Sequence, residues 1–123
     1  MSNTNMPDRV SESNGMYIAY FSGEYGTSLG MFTFKDGVIC GADLGGGVYD
    51  GILTYSSIDR ELFGNITFRM KSGGTTITGA YTDLPVSYDT FVRLKTPVEG
   101  IPFHELESLS GPINVRFEKV RAL

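Results

Sequence analysis

The fold of this chain is decided by the stretch Gly41-Ala-Asp-Leu-Gly-Gly-Gly-Val-Tyr-Asp-Gly-Ile-Leu-Thr-Tyr55 and by the segment before it, Ser28-Leu-Gly-Met-Phe-Thr-Phe-Lys-Asp-Gly-Val-Ile-Cys40. In the earlier segment Asp36-Gly37 separates two apolar runs, and an Asp-Gly pair in this setting is a strong signal for a two-residue β-hairpin. The glycine run at 45–47 then separates two further runs that have the composition of strands. The two segments together predict consecutive antiparallel strands joined by tight turns.

The clearest strand pattern follows, where Ile66, Phe68 and Met70 alternate with Thr67 and Arg69. A period of two is typical of a strand that is buried on one face. Similar patterns, bounded by turn residues, predict seven or eight strands, over 16–21, 29–34, 38–43, 48–55, 62–71, 75–81, 88–95 and 113–120.

The segment 102–109 instead favours one or two turns of helix. Pro102 suits the first helical position, acidic residues follow it, and Gly111 can end the helix. Many short strands with at most one short helix predict an all-β fold, either a closed barrel or a sandwich. The high glycine content, 16 of 123 residues, favours the barrel because tightly curved strands need glycine.

Length and charge indicate one ordinary globular domain, predicted over 15–123 after a mobile polar tail at 1–14. The formal net charge is −4 and the Lys and Arg residues are scattered, which disfavours a nucleic-acid binder. A single cysteine excludes an internal disulfide, and the tail lacks the apolar core of a signal peptide. No run approaches the ~20 apolar residues that cross a bilayer. We therefore expect a cytoplasmic protein that binds neither nucleic acid nor membrane.

Residue types that carry catalysis are sparse. His104 is the only histidine and Cys40 the only cysteine, and the sequence pairs neither with an activating partner. The glycine run 45–47 lacks the Lys-Ser/Thr of a phosphate loop. We expect His104 at the surface or at a helix cap and Cys40 as a buried small side chain. We also expect no enzyme activity, no cofactor and no metal site.

Two sets of residues are candidates for binding. Asp43 and Tyr49, which with Asp50 flank the glycine run, are candidate ligand-binding residues; the alternative is that they hold the turn and fill the core. Asp59, Arg60 and Glu61 are candidate partner-binding residues, because loops on a rigid barrel often carry recognition. The alternative for this second set is a solvated charged turn.

Three segments resemble the GrlR-like family: Gly15-Met-Tyr-Ile-Ala-Tyr-Phe21, Gly30 to Asp43, and Val48-Tyr-Asp-Gly-Ile-Leu53. The resemblance implies an antiparallel up-and-down, lipocalin-like barrel of about eight strands that forms a homodimer. It also implies a negative regulator of type III secretion genes that sequesters a transcriptional activator. In that family the loop after the Tyr-x-Gly strand is strongly acidic, whereas the matching loop here, Ser56-Ser-Ile-Asp-Arg-Glu61, has a basic residue between its two acidic ones.

These patterns and the resemblance favour a non-enzymatic regulatory protein that binds a transcriptional activator or another protein, with an apolar outer face buried in the homodimer. The alternative is a carrier or sensor that holds a lipophilic or sugar-like small molecule inside the barrel. An open interior of ~300 Å³ or more would favour the carrier, and a filled interior would favour the protein binder.

Overall fold

The computed structural model describes residues 10–24, 26–74, 81, 83–108 and 111–123. The described residues form an antiparallel barrel. Its eight strands are β1 Gly15–Gly23, β2 Gly26–Lys35, β3 Val38–Asp43, β4 Val48–Ser56, β5 Glu61–Met70, β6 Val86–Lys95, β7 His104–Ser108 and β8 Gly111–Ala122, with 3-10 turns at Ser11–Ser13 and Val98–Gly100. The prediction of an all-β barrel is confirmed.

The strands form one sheet that curls into a nearly closed barrel. Their order is β6-β5-β4-β3-β2-β1-β8-β7, so successive strands are neighbours and β8 returns to lie beside β1. The two edge strands β6 and β7 face each other, and Thr90 Oγ1 donates a hydrogen bond to the Glu107 carbonyl across the seam, at 3.4 Å. This is the up-and-down topology, in which short turns connect adjacent strands.

Alternation along each strand places one set of side chains in the interior. The buried apolar residues include Tyr17, Phe21, Phe32, Ile39, Leu53, Ile66, Phe68, Val92, Leu94, Val115 and Phe117. Several rings from different strands lie close together in the interior: the centroids of Phe21 and Tyr49 are 6.2 Å apart, and those of Phe32 and Phe117 are 6.1 Å apart. The described interior is therefore packed with aromatic side chains at the level of these rings.

The hairpin between β2 and β3 has the predicted turn. Asp36 and Gly37 both have positive φ, 50° and 88°, which is the requirement of a type I′ turn. The side chain of Asn14 holds this turn from outside, since its Oδ1 accepts from the Asp36 N–H at 2.8 Å and its Nδ2 donates to Asp36 Oδ1 at 3.1 Å. Asn14 is buried, so residues 10–14, placed in the tail by sequence, pack against the barrel. Residues 1–9 lie outside the described residues.

The helix predicted over 102–109 is wrong, because residues 104–108 form β7. They pair with β8 in the register His104↔Val115 to Ser108↔Gly111. Hydrogen bonding to an edge strand and burial of His104 outweigh the weak local helix signals. The strand predicted over 75–81 falls outside the described residues except for Tyr81, which is exposed.

Candidate functional site

One end of the barrel carries the loop between β4 and β5, where two of the predicted partner-binding residues are exposed. Ile58 at the loop tip is 92% exposed, and Asp59 is held by Ser56, whose Oγ accepts from the Asp59 N–H at 3.2 Å. Arg60 has a φ of 54°, and its carbonyl accepts hydrogen bonds from the N–H and Oγ1 of Thr96 at 3.0 and 2.9 Å. These bonds fix the loop against the segment that follows β6.

Glu61, the third predicted partner-binding residue, has a different environment. Its side chain is buried and pairs with Arg93 at 2.8 Å and with Lys95 at 3.5 Å, both on the neighbouring strand β6. The hydrogen bond from Arg93, with the charge of Lys95, lowers the pKa of the Glu61 carboxyl, against a smaller opposing effect of burial. Glu61 therefore cross-links β5 to β6, and the loop presents Asp59 and Arg60 without it.

A cavity of about 620 Å³ with both polar and apolar lining, called here the end pocket, opens beside this loop. Six parts of the chain surround it: the turn at 11–13, Tyr17 of β1, Tyr55 of β4, the loop at 57–60, the segment 96–99, and Lys119 of β8. Its charged lining residues are Glu12, Arg60, Glu99 and Lys119, and its aromatic ones are Tyr17 and Tyr55. The pocket thus brings Arg60 together with residues that the sequence analysis did not single out, because they come from distant parts of the chain.

Hydrogen bonds organise the floor of the end pocket. The Tyr17 hydroxyl donates to the Ser13 carbonyl at 2.7 Å, and the Lys119 N–H donates to Glu99 Oε2 at 2.9 Å. The Lys119 ammonium lies 5.6 Å from the centroid of the Tyr17 ring, within range of a cation–π contact. Burial, and next the charge of Glu99, raise the pKa of Tyr17 to about 12, so its hydroxyl is neutral at pH 7.

The predicted ligand-binding residues Asp43 and Tyr49 do meet, inside the opposite end of the barrel. Asp43 Oδ2 accepts from the Tyr49 hydroxyl at 2.6 Å, and its Oδ1 accepts from the N–H groups of Gly45 and Gly47 at 2.9 and 3.0 Å. Burial first, and then the bond to Asp43, raise the pKa of Tyr49 far above its ordinary value. The pair is engaged within the chain and holds the β3–β4 turn. Asp50 lies outside this cluster and pairs with Arg69.

The strands β1 to β4 carry apolar residues on their outer faces as well. Ile18, Met31, Ala42 and Val48 are successive cross-strand partners and form one row across the barrel surface. Beside this row lies a groove of about 600 Å³ whose lining includes Leu29, Leu44 and Phe103, which are 41, 78 and 60% exposed. The row and these three residues are called here the outer wall.

Charged residues of opposite sign bound the Ile18–Val48 row. Glu118 of β8 is the cross-strand partner of Ile18, and Arg69 of β5 is the partner of Val48. The signal for this surface is present in the sequence, since both faces of the strands around Met31 are apolar. An apolar outer face was expected from the sequence, but the residues that form it were not identified there.

The two residues with the most reactive side chains lie on opposite faces of the sheet. His104 is buried, where its Nε2 donates to the Val98 carbonyl at 3.1 Å, and Cys40 is exposed on the outer face of β3. Both expectations for their placement were wrong, because alternation along β7 and β3 directs His104 inward and Cys40 outward. No group of three or more His, Cys, Asp or Glu side chains within the described residues could hold a metal ion.

Comparison with known proteins adds no relative. No protein-family model, curated protein or solved structure matches the chain. In the part of the chain that the structure describes, no helix is long and apolar enough to span a bilayer.

Proposed function

We propose that this protein is a non-enzymatic regulatory protein that binds a protein partner and acts as a homodimer. The observation that carries the proposal is the outer wall, because exposed apolar surface on a small soluble barrel marks an interaction site. The aromatic packing of the interior supports the same proposal, since it leaves the outside of the barrel as the surface for recognition. The separation of His104 from Cys40 by the sheet supports a non-enzymatic role.

The charges that bound the outer wall favour a particular dimer. When two identical faces pack with a two-fold axis parallel to the strands, Val48 meets Ile18 of the second copy. The same axis places Arg69 against Glu118 of the second copy, at both rims of the interface. A stable dimer buries about 800 Å² per partner, and a row across four strands with its adjacent groove supplies an apolar centre for such an area.

Sedimentation equilibrium over a range of concentrations tests the dimer. The wild-type chain is expected at twice its 13.4 kDa mass, and Met31→Lys should shift it to the monomer by placing a charge in the apolar row. Phe91→Lys, the same kind of change at an exposed apolar residue of β6 outside the outer wall, is the control and should leave the mass unchanged. A 13.4 kDa wild-type species at tens of micromolar removes the dimer from the proposal.

A charge swap tests the orientation separately. Glu118→Arg and Arg69→Glu should each weaken the dimer, and the double variant should recover it, because the two charges meet only across the two-fold axis. If the dimer forms and its dissociation constant does not respond to these changes, the two-fold axis has a different direction but the dimer itself stands.

The partner surface of this proposal is the exposed loop at 57–60. Ile58 supplies an apolar anchor, and Asp59 and Arg60 supply charges of both signs at its rim. The resemblance of residues 15–70 to the GrlR-like family favours a transcriptional activator as the partner. A pull-down with Ile58→Ser should lose that partner, whereas Glu24→Ser, at the opposite end of the barrel, should retain it. Retention by both variants would move the partner surface elsewhere on the barrel.

The end pocket supports a second candidate function, a small-molecule sensor. Its ligand would lie at the barrel end, because aromatic rings occupy the described interior where a carried molecule would otherwise lie. Native mass spectrometry of the purified protein tests this function, since a mass increment that is lost on denaturation reports a co-purified ligand.

A further inference from the structure

We propose that the end pocket binds a free α-amino acid, recognised through both its carboxylate and its ammonium group. An amino acid is a small zwitterion, so a single small cavity that binds it must offer charged groups of both signs. The inference rests on the second candidate function, the small-molecule sensor, whose ligand class it names, and it holds or fails independently of the homodimer.

Two cations supply the carboxylate side. Arg60 and Lys119 both line the pocket, and neither side chain forms an ion pair with any described residue. The Arg60 carbonyl, held by Thr96, sets the position of the residue from which the guanidinium extends. Lys119 is half-buried and rests over Tyr17, which limits its freedom before a ligand arrives. A carboxylate is the natural partner of such a pair.

An acidic group supplies the ammonium side. Glu99 lines the same pocket, and its Oε2 is fixed by the Lys119 backbone N–H at 2.9 Å. A carboxylate that is oriented through one oxygen retains the other as an acceptor for an ammonium group. Glu12 adds a second negative charge on the pocket wall. The lining therefore carries two positive and two negative side chains, which suits a ligand with no net charge.

The remaining lining matches the rest of such a ligand. A volume of about 620 Å³ lies within the usual range for small-molecule sites, roughly 300 to 1,000 Å³. Tyr55, Pro97 and Val98 offer apolar surface for a side chain, and Ser13 and Ser57 offer hydroxyl groups. Tyr17 contributes a neutral hydroxyl whose proton is already donated to Ser13, so it adds no competing charge.

The test is titration of the ¹⁵N-labelled wild-type protein with each common L-amino acid, followed by NMR. Amide signals of residues 57–60, 96, 98 and 99 should shift saturably for at least one of these amino acids. The best ligand is then compared with its carboxamide, which lacks the carboxylate, and with its α-hydroxy acid, which lacks the ammonium. Each analogue should bind at least about tenfold more weakly, the loss expected when one charge-assisted hydrogen bond is missing.

Variants assign the two ends of the ligand. Glu99→Gln keeps an oxygen for the Lys119 N–H and removes the charge, so it should weaken the amino acid about tenfold and leave the hydroxy acid unaffected. Arg60→Gln should weaken both. Glu105→Gln and Lys71→Gln, exposed changes of the same kind outside the pocket, are the controls and should change neither.

Three results would overturn the proposal. One is the absence of saturable shifts at about 10 mM for every amino acid, a concentration that populates even millimolar complexes. Another is equal binding of the α-hydroxy acid, which would identify a simple anion site. The third is equal effects of the pocket variants and their controls. None of these results bears on the sedimentation test of the dimer.

Discussion

The hairpin at Asp36-Gly37 allows the cost of a backbone clash to be separated from the cost of an unusual backbone angle. Gly37 has a φ of 88°, and a Cβ added to it would lie 2.7 Å from the Leu53 carbonyl oxygen. The same backbone segments are joined by the Leu53 N–H, which donates to the Gly37 carbonyl at 2.6 Å. The two backbone segments therefore cannot move apart to relieve the clash without lengthening that hydrogen bond.

Gly46 is the matched control. Its φ is 97°, close to that of Gly37, but a Cβ there would have no neighbour within 4 Å. Gly46→Ala should lower the free energy of unfolding by about 1 kcal/mol, the cost of a non-glycine residue at positive φ. Gly37→Ala should pay the same cost and a further ~1–2 kcal/mol for the clash and the weakened hydrogen bond.

Urea denaturation of the wild-type protein and both variants measures the comparison. A difference of ~1–2 kcal/mol between the variants corresponds to roughly 4–8 °C in melting temperature for a chain of this length. The reasoning fails if the two variants have the same midpoint, because the Leu53 carbonyl would then impose no constraint. It also fails if Gly46→Ala is the more damaging of the two.

Three further outcomes follow from buried polar groups. Tyr49→Phe should lower the free energy of unfolding by about 1–2 kcal/mol, because it leaves buried Asp43 short of a donor. Tyr20→Phe, which removes a solvent-exposed hydrogen bond to Glu118, should cost much less, and equal costs in urea denaturation would contradict this. Because the pKa of Glu61 is lowered, the stability that its carboxylate contributes is complete above its ordinary pKa of 4.5 and is lost as pH falls. Glu61→Gln should therefore be less stable than wild type at pH 7, and the two proteins should have similar free energies of unfolding in acid. A difference in free energy that does not change with pH would refute this. Burial lowers the pKa of His104 below 6.5, so stability should decline as pH falls below that value. His104→Gln, which keeps a donor for the Val98 carbonyl, should flatten this decline, and an unchanged slope would show that other groups titrate there.

Strand β7 differs from the element that the sequence predicts for the same residues. The sequence analysis obtained up to eight strands by including 75–81 and assigned 102–109 to a helix. In the structure residues 75–80 lie outside the described residues, and His104–Ser108 is strand β7. Its signals are weak because it is short and carries charged residues outward, and it forms because β8 is twelve residues long and presents a free edge to it. Local propensity cannot report the presence of that edge.

Some features of the candidate sites could likewise be predicted from the sequence and others could not. Exposure of Asp59 and Arg60 was predictable from a polar turn between two apolar strands. The burial of Glu61 was not, because it depends on Arg93 and Lys95 reaching across from β6. The end pocket was not predictable either, since the turn at 11–13, the loop at 57–60, the segment 96–99 and Lys119 meet only when the barrel closes.

By itself the sequence determined the class of the fold, the Asp36-Gly37 turn and the period-two pattern that fills the interior. These depend on backbone angles and on side-chain alternation, which act over a few residues, so short stretches of sequence are enough to specify them. Tertiary structure alone decided which charges pair, which apolar rows remain outside and which distant residues surround the end pocket. Those depend on strand register and on closure of the sheet, which bring together residues far apart in the chain.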